Sequence, residues 1–100
     1  MLPNSYTEFK TTLGQAAPDA AWPDALKALW FDAKGDWESS HNIAQDMHTT
    51  MGSWMHAYLH RKEGDTFNAG YWYRQAGRSY PEITLEEELR EMVEFILESP

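Results

Sequence analysis

The sequence predicts an all-α domain, a compact bundle of five or six helices with antiparallel helix hairpins of repeat-like type. Three observations carry that expectation. The last segment holds Leu85, Leu89, Met92, Val93, Ile96 and Leu97 at i, i+4, i+7, i+8, i+11 and i+12, one apolar stripe with acid elsewhere. Gly-Asp stands twice between helical patterns, at Gly35-Asp36 and Gly64-Asp65. No stretch shows the strict alternation of a half-buried strand.

Start and stop signals place the elements in order. Ser5 and Glu8 form a capping-box pattern before Tyr6, Phe9 and Leu13, and Pro18 ends that segment. Pro23 falls in the first turn of a second helix carrying Leu26, Leu29, Trp30 and Ala33, closed by Gly35. Asp36 caps a third helix with Trp37, Ser40, Ala44 and Met47 on one stripe. A break is expected over residues 51–53, with Ser53 capping a fourth helix that stops at Gly64. Asp65 caps a fifth, running to Gly77, and a loop with Pro81 follows. Thr84 and Glu87 form a second capping box before the last helix, where Glu86 and Arg90 have pairing distance at i, i+4. No low-complexity linker divides the chain, so residues 1–100 are read as one domain.

Composition narrows the function classes. Hydrophobic residues make up 42% and five are Trp, enough apolar mass for a core without staples. The chain has no Cys, which excludes disulfides, thiolate metal sites and a thiol nucleophile. A net charge of −8 argues against nucleic acid and anionic membrane surfaces as partners. Much of the acid, Glu82, Glu86, Glu87, Glu88, Glu91, Glu94 and Glu98, lies in the last segment and reads as a solvated face. No signal-peptide pattern and no membrane-length apolar run is present, so a cytoplasmic location is expected.

The two Gly-Asp junctions lie 29 residues apart, and in each the glycine ends one helix while the aspartate caps the next. After the second, Ala69, Tyr73 and Ala76 resemble the second helix of a tetratricopeptide repeat, and Ala69, Trp72, Tyr73, Arg74 and Ala76 are similar to Sel1-type repeats. This implies helix-pair stacking of repeat type rather than a repeat array. Residues 37–78 also resemble a family of short, uncharacterised, mainly microbial proteins. The signature is Trp37 with His41, His56-Ala57-Tyr58-Leu59-His60-Arg61, Glu63-Gly64-Asp65, Asn68-Ala69, Tyr71-Trp72-Tyr73-Arg74 and Ala76-Gly77-Arg78. The resemblance implies a shared fold and surface and no particular activity.

Chemistry-bearing residues crowd the same stretch. His56, His60 and Glu63 share one helix face at i, i+4 and i+7, and His41 reaches them if the preceding helix packs antiparallel. Arg61 suits the C-terminal end of its helix, and Arg74 is placed to pair with Glu63 or Asp65. Neighbours on a helix are about 100° apart, so Tyr71, Trp72 and Tyr73 cannot all face one core. Tyr73 is read as the core member, leaving Trp72 or Tyr71 for a contact surface.

The leading reading is a non-enzymatic binding module for a small anionic ligand or a protein partner. Its ligand-binding residues are His41, Trp54, His56, His60, Arg61, Trp72 and Arg74, with no cofactor and no metal assigned. One alternative is a self-associating structural protein, a homodimer formed through spare aromatics. The other is a metal-dependent hydrolase using the His56/His60/Glu63 face with His41. No serine elbow, phosphate loop or dinucleotide fingerprint is present, so no catalytic residue is assigned.

Overall fold

The computed structural model describes residues 1–98, which form six α-helices and one 3-10 turn with no strand among them. The helices are α1 (Tyr6–Thr11), α2 (Asp24–Ala33), α3 (Trp37–Ala44), α4 (Thr50–Lys62), α5 (Thr66–Gln75) and α6 (Leu85–Glu98), with the 3-10 turn Thr12–Gly14 after α1. The all-α bundle expected from the sequence is what forms. No helix of the described residues is long and apolar enough to cross a membrane.

The two Gly-Asp junctions build the same turn. Gly35 and Gly64 take φ of +87° and +84°, a left-handed conformation that only glycine adopts without strain. In each turn the glycine N–H bonds back to Asp32 or Arg61, and the aspartate N–H to Phe31 or His60. These are paired bonds of a Schellman motif, satisfying carbonyls that the helix end would leave open. The aspartates then cap the next helix: Asp36 accepts from Ser39 N–H and Asp65 from Asn68 N–H. Two antiparallel hairpins result, α2–α3 and α4–α5, and α3 packs on α4 to join them.

Capping also explains where the sequence reading slips. Ser53 caps nothing and lies inside α4. Thr49 is the cap, its Oγ1 accepting from Gly52 N–H at 3.0 Å, and the break falls after Ala44. Gly52 sits inside this helix for its size, since a Cβ there would run into the Met47 carbonyl. The first helix stops at Thr11 and its 3-10 extension at Gly14, before Pro18, and Pro23 stands at the N-cap of α2. Thr84 and Glu87 form the full reciprocal box, at 3.1 and 3.0 Å. At Ser5 the box is half made, for the Glu8 carboxylate accepts from Asn4 N–H instead.

All six helices contribute to the core, α3 through Ala44 and α5 through Ala69 and Tyr73. Phe9, Leu26, Leu29, Trp30, Met55, Tyr58, Leu59, Met92 and Val93 are buried within it. Helix α6 lays its stripe across this core, burying Leu89, Met92, Val93 and Ile96, with Leu85 and Leu97 at the margins. Glu88 is an exception to the solvated acidic face: it is 2% exposed and turned inward. Glu86 pairs with Lys10 at 3.0 Å and Arg90 with Glu94 at 3.2 Å, so the expected Glu86–Arg90 pair does not form.

Candidate functional site

A helix turns about 100° per residue, which gives α4 two opposed working faces. Trp54, Tyr58 and Arg61 lie within one sector, while His56 and His60 lie roughly opposite. The structure therefore divides the residues that the sequence gathered into one site.

The first face is an internal brace. Glu88 of α6 accepts from Trp54 Nε1 at 3.1 Å, Tyr73 OH at 2.6 Å and Arg61 Nη1 at 2.7 Å. The other Arg61 nitrogen donates to the Ile83 carbonyl. Asp32 of α2, also 2% exposed, accepts from Tyr58 OH at 2.8 Å and Lys62 Nζ at 2.9 Å. Burial first, and the facing carboxylates next, push both phenols above the usual tyrosine value, so both stay protonated donors. Arg61 and Trp54 are thus committed to Glu88. Arg74 is exposed and has no ion-pair partner among the described residues, neither Glu63 nor Asp65. No anion clamp of Arg61 with Arg74 is assembled.

The second face is a histidine cluster. Packing α3 on α4 brings His41 over His56 and His60, with ring centroids at 5.3 and 6.3 Å, and 6.2 Å between the latter two. One ligand atom from each of the three imidazoles lies within 4.8 Å of the other two. Two indoles wall the cluster. Trp37 stacks on His41 at 4.7 Å and 12°, fixed by its own Nε1 bond to the Leu59 carbonyl at 3.2 Å, and Trp72 stacks on His56 at 4.4 Å and 22°. Stacking uses the ring faces and leaves the in-plane nitrogens free. Nδ1 of His56 and Nδ1 of His60 are both buried without a hydrogen-bond partner.

Among the three consecutive aromatics, Tyr73 is buried, Tyr71 is exposed and Trp72 takes the intermediate place against His56. Behind His60 lie two carboxylates, Glu63 Oε1 at 3.8 Å and Asp65 Oδ2 at 3.7 Å from Nδ1. The Asn68 side chain, then its backbone N–H, hold the Asp65 carboxyl below the usual value. Beside His56 opens a groove of about 460 Å³ lined by Gln45, His48, Thr50, Ser53, Trp72 and Gln75, with no carboxylate, lysine or arginine in its lining.

Burial foremost, then the neighbouring His41 and His60, press the His56 imidazolium below the ordinary value of about 6.5. The unfolded chain therefore takes up this proton more readily than the folded one. The neutral state is compatible with full stability above pH about 6.5, and stability is lost as pH falls through that value. Unfolding free energies at pH 7.5 and 5.5 should show this loss, and a His56→Gln variant should show a smaller one. Equal losses would show that His56 does not carry the effect.

Two carboxylates that pattern reading did not single out, Glu88 and Asp32, organise the brace. A signal for Glu88 existed: it precedes Leu89 and stands four residues before Met92, at the edge of the apolar stripe. Asp32 lies between Phe31 and Ala33 on a helix with many apolar residues, which marks it no further. The chain matches no family model, no curated protein and no solved structure, so its site is read from its own chemistry.

Proposed function

We propose that the chain is a binding domain for a divalent transition-metal ion, held by His41, His56 and His60. The observation that carries this is the convergence of three imidazoles from two helices, one ligand atom of each within 4.8 Å of the other two, with Nδ1 of His56 buried and unpartnered among the described residues. A buried polar atom without a partner is costly, and metal coordination is one way to meet that cost. Neutral imidazole is the commonest ligand for zinc and suits copper and nickel.

Zn–N bonds of about 2.0–2.1 Å imply nitrogens about 3.4 Å apart in a tetrahedral site. The cluster, with its atoms within 4.8 Å, needs ring rotations of about 1 Å to reach that geometry. Three protein ligands leave a fourth position, and a zinc ion there would polarise a bound water or anion. Three neutral imidazoles do not cancel the charge of the ion. The small anionic ligand expected from the sequence would then bind at the metal and not at an arginine clamp.

Hydrolysis has less support than binding. Glu63 was the expected carboxylate ligand, yet it stands behind His60 and outside the three-residue cluster. Stacking of the doubled Gly-Asp hairpin in the repeat manner supports this reading, because it sets α3 against α4 and so brings His41 to its partners. Imidazole ligands are indifferent to the redox state of a compartment, so the site is compatible with the cytoplasmic location expected from the sequence.

Cobalt(II) tests the proposal. Added to chelator-treated protein, it should give the visible absorption of a low-symmetry four-coordinate site and saturate at one ion per chain. His41→Ala and His56→Ala should each abolish the band. A band that survives both substitutions, or none in the unaltered chain, would overturn the assignment.

A further inference from the structure

The same hairpin turn is built twice, and the two copies differ at one chemically decisive position. In both, the aspartate Oδ1 caps the following helix and Oδ2 accepts from the side chain three residues on, Ser39 at 2.7 Å or Asn68 at 2.7 Å. In both, the aspartate N–H bonds to the carbonyl five residues back. That residue is Phe31 in the first turn and His60 in the second. Only the second turn sets an imidazole nitrogen beside its capping carboxylate, with His60 Nδ1 at 3.7 Å from Asp65 Oδ2.

We infer that Asp65 is a positioning residue for the metal site: it accepts the proton-bearing Nδ1 of His60 and so keeps Nε2 as the metal-binding atom. The inference rests on the proposed metal reading. A metal-bound histidine usually gives its second N–H to a carboxylate or carbonyl, which fixes the tautomer and raises ligand basicity. The separation of 3.7 Å lies a few tenths of an ångström beyond hydrogen-bond range, a gap that a small ring rotation closes. Asp65 is better held for this than Glu63. Two bonds from Asn68 pin its carboxylate, whereas Glu63 receives none among the described residues and is more exposed. The turn thereby links the ligand sphere to the start of α5, the helix that carries Trp72 onto His56.

Asp65→Asn tests this without dismantling the turn, because asparagine caps a helix as well as aspartate does. Asp36→Asn in the first turn is the matched control. Ring nitrogen chemical shifts of His60, recorded without metal, should show Nδ1 protonated in the unaltered chain and a shift toward the Nε2–H tautomer in Asp65→Asn. Zinc affinity should fall about 10–100-fold in Asp65→Asn and stay unchanged in Asp36→Asn. An Nε2–H tautomer in the unaltered chain, or equal zinc affinity in both variants, would overturn the role of Asp65. A chain that binds no zinc would overturn the metal reading itself, and the metal-free tautomer measurement would still decide whether Asp65 sets the His60 proton.

Discussion

Replacing Glu88 by alanine should cost about 3–5 kcal/mol of folding stability, the usual penalty for leaving one partner of a buried ion pair alone. Glu88 is 2% exposed and receives Trp54, Tyr73 and Arg61, which come from α4 and α5. Without it, the Arg61 guanidinium keeps only the Ile83 carbonyl among the described residues, and a buried indole N–H and phenol lose their acceptor. Domains of this size are stable by about 5–15 kcal/mol, so the variant should approach the folding threshold. Glu88→Gln, of similar shape, should lose less because its amide oxygen still accepts. Urea unfolding of the two variants checks the order. A loss under about 1 kcal/mol for Glu88→Ala would mean that the pair is solvated and contributes as little as a surface salt bridge.

Zinc should raise the melting temperature of chelator-treated protein by about 10–20 °C when free metal is about 100 times its dissociation constant. The estimate follows from linkage. Saturation to that extent adds about 2.7 kcal/mol, and each kcal/mol moves a domain of 60–100 residues by about 4–8 °C. The shift should vanish on adding chelator and in His56→Ala, whereas Arg74→Ala should keep it, since Arg74 is no member of the three-histidine cluster. Differential scanning calorimetry at fixed pH above 7 gives the comparison, because acid would protonate the imidazoles and compete with the metal. A shift that survives His56→Ala would place the zinc outside the three-histidine cluster.

Much of the fold was legible because the sequence writes its boundaries in capping chemistry. Asp36, Asp65 and Thr84 each cap the helix they precede, and Gly35 and Gly64 take the backbone conformation that their positions imply. The boundary expected at Ser53 lies instead at Thr49, whose hydroxyl caps α4. Gly52 is required by the Met47 backbone packed against it, a tertiary contact that local pattern does not reveal.

The site divides along the same line. His56 and His60 share a face by helix spacing alone, and His41 was reachable once the hairpins were assumed to stack. Arg61 and Trp54 were grouped with them by proximity in sequence, yet helix rotation turns them to the far side, toward Glu88. Glu88 itself was hidden in a run of acid. One carboxylate of such a run can be buried when three donors from other helices happen to meet it, and only the assembled structure shows that they do. Trp72 or Tyr71 was expected at a contact surface; Tyr71 is the exposed one, and stacking on His56 leaves Trp72 partly buried.

The most direct test of the three-histidine site is anomalous X-ray diffraction at the zinc edge from crystals grown with one equivalent of zinc. The expected result is a single strong peak bounded by one ring nitrogen each from His41, His56 and His60 at about 2.0–2.1 Å, with an exogenous fourth ligand. Contradiction would be no peak among these three rings, or zinc bound only to surface carboxylates of α6.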